Sequence, residues 1–417
     1  RSVRSTAVFA PGEAVSSWTV PAWPGRRSVR VAVWSLLAAV WVLGGGTGRE
    51  ARGCPFCTKQ GPTLGEQYAL AQVVAVVSWQ KSTPAEGDDP GSTTFEVLEL
   101  LKDDGLGPQK KAQITIPIVR PGPKGTLELW FAATTTGKLD WVFRTGGSPE
   151  AVKYLQSSPP SDSPTAKRLE FYAGYLEHPT EAIAEDAFGE FSGAQFQDVR
   201  KAKGAFERDK LREWLTDEGV PASRRGLYGM MLGLAGNDSD REFLKQYIEP
   251  STDEVRIGIE GAMGGYLYLA GEPGVDFLEQ TKIADPQTPF HETYAAVQAL
   301  RFIWSYGAEQ VPHERVLKTM RTLVDRPALC DIVINDLARW KDWSLQERII
   351  GLYGTKGFDI PSIRRAMIRY LIASSKDLPE GATEPPPHVI KGRELVEELR
   401  KKDPKRVSEV ERFFFLQ

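Results

Sequence analysis

The sequence predicts a multidomain β + α fold, in which a small antiparallel β-domain precedes an α-helical solenoid. Two patterns carry this prediction. Hydrophobic and polar residues alternate with a period of two in the segment after Cys54, as in strands with one buried face. Further along the chain an apolar helical pattern recurs at a regular interval, as in proteins built from stacked helix pairs. We expect the β-domain at 54–146, the helical domain at 147–376, and a linker with a charged terminal helix at 377–417.

Length and composition agree with a soluble protein of more than one domain. The chain has 417 residues, of which 41% are hydrophobic and 26% are charged. A chain of this length exceeds one ordinary hydrophobic core. The formal net charge is −3, whereas a general binder of nucleic acids or anionic membranes carries excess positive charge. We therefore expect no nucleic-acid partner.

Five short strands are predicted in the β-domain, at 69–79, 93–101, 112–119, 126–132 and 139–143. The third shows the pattern most clearly, because Ile114, Ile116 and Ile118 fall on one face. The segments between the strands are rich in turn residues and too short for helical crossovers. These features favour a small antiparallel barrel of the OB type, and a two-layer sandwich fragment is the alternative.

The helical domain is predicted from glycines that end three apolar runs. Gly236, Gly271 and Gly307 are separated by 35 residues (271 − 236) and 36 residues (307 − 271). A short acidic–Phe–Leu sequence at 242–244 recurs at 276–278, just after the first two of these glycines. An apolar helix, a glycine stop and a second shorter helix at this period are typical of an α-solenoid.

The N-terminal part of the chain has the composition of a secretory signal peptide. Residues 1–24 show no periodicity, and we interpret them as a disordered or spurious leader. Residues 25–53 combine an arginine-rich flank, an apolar run at 31–43 and a small-residue exit that ends at Gly53. That run is too short to span about 30 Å of hydrocarbon at about 1.5 Å per residue. We expect export with cleavage before Cys54; an uncleaved anchor and a lipidated Cys54 are the alternatives.

One segment with chemical content is the C-x-x-C sequence of Cys54 and Cys57. Such a pair can be a structural disulfide, or a redox pair whose first thiolate is activated at a helix N-terminus. Haem attachment requires a histidine where Thr58 stands, and zinc requires two further ligands. We expect an oxidised, structural pair, as is common in exported proteins. No catalytic, cofactor-binding or metal-binding residue is predicted, and Cys330 is expected to be a buried small hydrophobe.

Acidic residues cluster near the start of a predicted helix that follows residue 178. His178, Glu181, Glu185 and Asp186 together could form a metal or acid–base site. Acidic side chains in a first helical turn are also expected from the helix dipole alone. We interpret the cluster as structural, and a hydrolase built on residues 177–190 is an alternative for which the sequence offers no nucleophile.

The order of motifs in the β-domain resembles a known family. The C-x-x-C pair at Cys54 is followed by the apolar segments ALAQVVAVVSW, FEVLELLK and GTLELWFA. This order resembles the netrin-like domain of the tissue inhibitors of metalloproteinases and of related exported bacterial proteins. The resemblance implies an OB-like barrel to which the segment of Cys54 and Cys57 is tied. In the inhibitors the first cysteine chelates the zinc of a target protease through its amine and carbonyl; the further barrel cysteines of that family are absent here.

The helical half resembles HEAT and armadillo repeats, which implies a long concave surface that binds other proteins. The function expected from the sequence is therefore an exported, non-catalytic protein-binding or scaffold protein of a bacterial cell envelope, without a cofactor. Membrane attachment is expected only if the signal segment is retained or Cys54 is lipidated. The alternative function is a thiol–disulfide redox protein that uses Cys54 and Cys57.

Overall fold

The structure, a computed structural model, describes residues 54–57, 61–135, 137–382 and 384–414. The predicted leader at 1–24 and the predicted signal peptide at 25–53 lie outside the described residues. Among the helices that the structure describes, none is both long enough and apolar enough to cross a membrane. The described chain contains an antiparallel sheet followed by many helices, in the order that the sequence predicts.

One sheet contains the five strands β1 (Val73–Thr83), β2 (Ser92–Asp103), β3 (Gln113–Ile116), β4 (Leu127–Thr135) and β5 (Lys138–Gly147). All neighbouring strands are antiparallel. Their order across the sheet is β3-β2-β1-β4-β5, so the apolar strand β1 is central. Each strand overlaps one of the five predicted segments, which confirms the antiparallel β-region.

A short helix, α1 (Leu64–Leu70), precedes the sheet where the sequence analysis had placed the start of the first strand. Thr63 and Glu66 form a capping box at its start. The Thr63 hydroxyl accepts a hydrogen bond from Glu66 N at 3.1 Å, and the Glu66 carboxylate accepts one from Thr63 N at 2.9 Å. The prediction was wrong at this point because these reciprocal bonds satisfy the free backbone donors of a helix.

The two faces of the sheet are buried in different cores. Val74 and Phe131 face the main core, which the sheet shares with the helices. Their neighbours Ala75 and Trp130 face the other side, because successive side chains of a strand alternate between faces. The side chains on that side form a small second core of Ala75, Val77, Phe95, Val97, Ile116 and Trp130.

The sheet is open, since β3 and β5 are its edges and do not pair with each other within the described residues. The predicted closure into a barrel is therefore not seen. β3 ends at Ile116, short of the predicted end at residue 119, because Pro117 has no N–H to donate to a ladder. The register of β1 against β2 shifts at three places, and β-bulges of this kind increase the local twist of a sheet.

Sixteen further helices follow β5 in the described chain. They are α2 (Pro149–Ser157), α3 (Thr165–Tyr172), α4 (Glu181–Gly193), α5 (Phe196–Lys201), α6 (Arg208–Thr216), α7 (Ala222–Ala235), α8 (Asp238–Ile248), α9 (Ile259–Ala270), α10 (Glu272–Leu278), α11 (Phe290–Tyr306), α12 (His313–Thr322), α13 (Pro327–Arg339), α14 (Gln346–Leu352), α15 (Pro361–Lys376), α16 (Pro387–Lys402) and α17 (Pro404–Phe414). α9 packs against both α7 and α11, and α15 packs against both α13 and α16. Gly236, Gly271 and Gly307 are the C-cap residues of α7, α9 and α11, as predicted.

α7 and α9 approach each other closely, and glycines of both helices line much of their contact. We call Gly226, Gly229, Gly233, Gly261 and Gly265 the glycine seam. A Cβ atom on Gly261 would lie 2.5 Å from Gly226 Cα, and one on Gly233 would lie 2.6 Å from Gly265 O. These glycines therefore permit backbone-to-backbone packing of the two helices.

Buried ion pairs connect elements of the helical half. Lys282 and Glu292 are both fully buried, with Lys282 Nζ 2.9 Å from Glu292 Oε2. Arg256 adds a second cation at 2.8 Å from the same oxygen. Asp240, also fully buried, accepts hydrogen bonds from Arg208 at 3.0 Å and from Arg212 at 2.7 Å. Removing one member of such a pair leaves an unbalanced buried charge, so these pairs fix the relative position of their helices.

The C-terminal residues form two helices, α16 and α17, that pack on α15. The sequence analysis predicted a charged terminal helix after a linker, and α16 matches it. α17 was missed because only a short break at Asp403 separates it from α16. Val389, Leu395 and Leu399 of α16 are buried, so this helix is part of the main body.

Candidate functional site at the Cys54–Cys57 loop

Cys54 and Cys57 form a disulfide that closes a tight loop, called here the Cys loop. Their Cα atoms are 5.2 Å apart, and Cys57 N donates a hydrogen bond to Cys54 O at 3.1 Å. Cys54 is only 4% exposed, whereas Cys57 is half-buried. Cys54 N donates to Ser192 O, at the end of α4, at 3.1 Å. The predicted disulfide is therefore present, and a helix holds its first residue.

Phe56 fixes the Cys loop to three further helices. Its ring centroid lies 5.1 Å from that of Phe302 on α11. A Cβ atom on Gly264 of α9 would lie 2.7 Å from Phe56 Cζ, and one on Gly226 of α7 would lie 3.1 Å from Phe56 O. The loop therefore packs closely against both positions, where glycine has no side chain. We call Ser192, Gly226, Gly264 and Phe302 the loop seat.

Beyond the loop seat lies a cluster of aromatic side chains from α5, α9 and α11. The ring of Phe196 is 5.2 Å from Phe302 and 4.5 Å from Tyr306. Tyr268 is 6.4 Å from Phe302. Aromatic pairs at these separations stabilise a packed cluster beyond simple area burial. The Cys loop is thus attached at the edge of the aromatic cluster formed by α5, α9 and α11.

The position of the Cys loop differs from the one that the netrin-like resemblance implies. The resemblance ties this segment to the barrel, whereas the contacts of Cys54 and Phe56 described above are with helices. The two backbone groups that would chelate a protease zinc are also engaged, because Cys54 N donates to Ser192 O and Cys54 O accepts from Cys57 N. In this conformation the segment attaches to the helices of the same chain.

The same geometry bears on the redox alternative. A thiol–disulfide enzyme needs an accessible first thiolate, usually at a helix N-terminus. Here the first cysteine is the buried one, and residues 54–57 form a turn. A thiolate that attacks the disulfide must also reach one of its sulfur atoms. Cys57 is the more exposed of the two residues, so the first cysteine is the less accessible target. The arrangement favours a structural disulfide.

A cavity of about 350 Å³ lies between α1, β5, α4 and α7. Phe143 and Thr145 of β5 line it, together with Gln67 of α1, Asp186 of α4 and Arg224 of α7. The cavity therefore lies at the junction of the sheet and the helices. Its walls include part of the acidic cluster that the sequence analysis considered as a possible site.

Two carboxylates of α4 hold the start of α1. Asp186 accepts hydrogen bonds from Leu64 N at 2.5 Å and from the Tyr154 hydroxyl at 2.7 Å. Glu190, one helical turn further, accepts from the Thr63 hydroxyl at 2.5 Å. A helix as short as α1 is unstable by itself in water, so these bonds help to keep it formed.

The remaining acidic residues of the 177–190 region are placed differently. Arg224 donates to Glu177 at 3.1 Å and to Glu181 at 2.5 Å, and the Tyr228 hydroxyl also donates to Glu177. Glu185 is exposed at the mouth of the cavity. The acidic residues of this region other than Glu185 thus connect different elements, which favours the structural interpretation.

Burial raises the pKa values of two groups that anchor α1 or contact its anchor, Asp186 and Tyr154. It raises the pKa of Asp186 to about 6, and the hydrogen bonds from Tyr154 and Leu64 oppose this increase. Burial also raises the pKa of Tyr154, and the neighbouring Asp186 charge adds to the effect. The anchor therefore contains a carboxyl group that titrates close to neutral pH.

The surroundings of His178 and Cys330 indicate structural roles for both residues. The Nδ1 atom of His178 accepts a hydrogen bond from Thr180 N at 3.0 Å, immediately before α4. Cys330 is a fully buried free thiol, as predicted, and burial raises its pKa to about 12. Across the described ranges, no group of three or more His, Cys, Asp or Glu side chains is arranged to hold a metal ion.

The loop seat was not predicted from the sequence, although the sequence contains one signal for it. The glycines at 226, 229 and 233 recur at 258, 261 and 265, with the same spacing and an offset of 32 (258 − 226). Repeated glycines at helical spacing indicate two helices with touching backbones. The partner of Phe56 could not be found in this way, because no short pattern connects it to Phe302.

Comparison of the chain with protein-family models and with curated proteins finds no match.

Proposed function

We propose that the protein is an exported, non-catalytic binding or scaffold protein of a bacterial cell envelope, whose partner is another protein bound by the helical half. In this proposal the sheet is an OB-like, netrin-like domain and the helices form a HEAT-like solenoid. The register shifts between β1 and β2 and the second core on one face of the sheet support the first assignment. The successive packing of α7, α9 and α11, each ended by a glycine, supports the second.

The observation that carries the proposal is an exposed apolar patch on the helical half. Val255 and Ile257, in the connection before α9, are 68% and 58% exposed, and Phe290, at the start of α11, is 48% exposed. Arg256, between the first two, donates to Glu292 of α11 at 2.8 Å. This bond holds the connection against the first turn of α11. Exposed apolar side chains held in one region are typical of protein-binding surfaces.

Site-specific crosslinking tests this proposal. A photo-crosslinking residue at position 257 should capture a defined envelope protein in the native host, and the same residue at position 360 should not. Ile360 is a suitable control because it is also an exposed apolar residue of the helical half, 46% exposed, at the start of α15. The captured protein is then purified, and its affinity is measured for the wild type and for Val255→Ser/Ile257→Ser. Equal affinities would show that the patch is not the binding surface.

Export is tested separately by the intact mass of the protein from its host. We expect a chain that begins near Cys54 and gains the mass of two hydrogens on reduction, because a disulfide persists in an oxidising compartment. A chain that retains residues 31–43 would be membrane-attached instead. A lipid on Cys54 would also contradict simple cleavage.

A further inference from the structure

Among the residues that the structure describes, Arg120, Arg144 and the carboxylate of Glu128 meet at the second core of the sheet. Arg120 donates a hydrogen bond to Glu128 Oε2 at 2.8 Å, and the Trp130 indole N–H donates to the same oxygen at 2.8 Å. The guanidinium of Arg144 lies over the ring of Trp130, with Cζ 4.7 Å from the ring centroid. Arg144 thus lies on the face of the indole ring, whereas Arg120 is connected to the indole N–H through Glu128. Arg120 Cζ also lies 5.8 Å from the ring centroid of Phe95, which is 4.7 Å from that of Trp130. The two positive charges of the arginines exceed the one negative charge of Glu128.

The positive charge of Arg144 is only weakly balanced by its neighbours. Among the described residues its guanidinium contacts the face of Trp130, and its Nε atom is buried without an acceptor. Burial and then the charge of Arg120 lower the pKa of Arg144, although Glu128 opposes the shift. A guanidinium that is partly removed from water beside a second cation is unfavourable unless an anion joins it.

The two arginines are held in place before any ligand arrives. Arg120 N donates to the Thr93 hydroxyl at 2.8 Å, and the Trp79 indole N–H donates to Arg120 O at 2.8 Å. Arg144 is paired directly opposite Trp130 in the ladder of β4 and β5. A site that is fixed in advance loses less conformational freedom on binding. The side chain of Arg120 is still 42% exposed, so a ligand can reach it.

We propose that Arg120 and Arg144, with Trp130 as the floor, form a binding site for an oxyanion group. A guanidinium presents parallel N–H donors that match the two oxygens of a carboxylate or phosphate. Stacking on an indole leaves the donors at the edge of the guanidinium directed away from the ring. The oxyanion can belong to a free small anion or to the C-terminal carboxylate of a peptide, and the experiment below separates these sources. The site is independent of the apolar patch.

Titration of the protein followed by NMR tests the site. The reporter is the indole N–H signal of Trp130, identified by its loss in Trp130→Phe. The probes are inorganic phosphate, acetate, and a short peptide with either a free or an amidated C-terminus, all at constant ionic strength. We expect a saturable shift, and we expect Arg144→Gln to weaken binding tenfold or more. Arg365→Gln, an exposed arginine of α15, should leave the affinity unchanged.

The outcomes decide between the sources and test the site itself. Binding of phosphate or acetate as tightly as the free-acid peptide indicates a free anion, whereas binding of that peptide alone indicates a protein C-terminus. Arg144→Lys, which keeps the charge but loses the planar pair of donors, should bind with intermediate affinity. Equal affinities of Arg144→Gln and Arg365→Gln overturn the proposal. If Arg144→Gln does not fold, the wild-type titration decides, since the absence of a saturable shift with every probe overturns the proposal as well.

Discussion

Replacement of Asp186 by asparagine should remove a pH dependence of stability that originates at the anchor of α1. The pKa of Asp186 is about 6, compared with an ordinary value of 3.8. Between these values the native state binds more protons than the unfolded state, so this group destabilises the fold as the pH rises. A shift of about two units corresponds to about 3 kcal/mol in the free energy of unfolding. Asparagine imitates the protonated carboxyl group, because it can accept from Leu64 N and donate to the Tyr154 hydroxyl.

The assay is urea unfolding followed by circular dichroism at pH 4 and pH 7.5. The free energy of unfolding of Asp186→Asn minus that of the wild type should be larger at pH 7.5 than at pH 4, by about 2 to 3 kcal/mol. Glu185→Gln is the matched control, since Glu185 is the adjacent residue of α4 and is exposed. The reasoning is refuted if the two variants show the same pH dependence.

Three further substitutions, one of them a control, test the packing of the helical half by thermal unfolding. Gly261→Ala places a Cβ atom 2.5 Å from Gly226 Cα and should lower stability by about 1 to 3 kcal/mol or more. Gly351→Ala, where nothing lies within 4 Å, should be neutral or raise stability by up to about 1 kcal/mol; equal losses would show that the α7–α9 contact can open. Glu292→Gln removes the carboxylate beside the fully buried Lys282 and should lower stability by about 3 kcal/mol, whereas an unchanged midpoint would show that the pair adds little.

The sequence predicted those parts of the fold that local patterns determine. The five strands were found because short apolar segments, several of them alternating, are separated by turn residues, and the ends of α7, α9 and α11 were found because glycine terminates helices. Barrel closure depends on whether β3 and β5 meet, which a one-dimensional pattern does not encode. α1 was missed because an apolar segment with β-propensity follows its short capping box at Thr63.

At the candidate site, the sequence predicted the disulfide but not its surroundings. The spacing of Cys54 and Cys57 is enough for a disulfide, and this pair is present. The seat of Phe56 depends on Phe302, far away in the sequence, and on two glycines from different helices. Long-range contacts of this kind arise from tertiary packing, which residue types and spacing cannot specify.

The long-range attachment of the Cys loop also has a consequence for the order in which the protein acquires its structure. Leu64 N is bonded to a side chain 122 residues downstream, and Phe56 requires Phe302, which is later still. At a synthesis rate of about 5 to 20 residues per second, Phe302 is made on the order of ten seconds or longer after Phe56. The first described residues to leave the ribosome are therefore among the last to become fixed. A nascent chain that stops before α11 presents Phe56 without its seat.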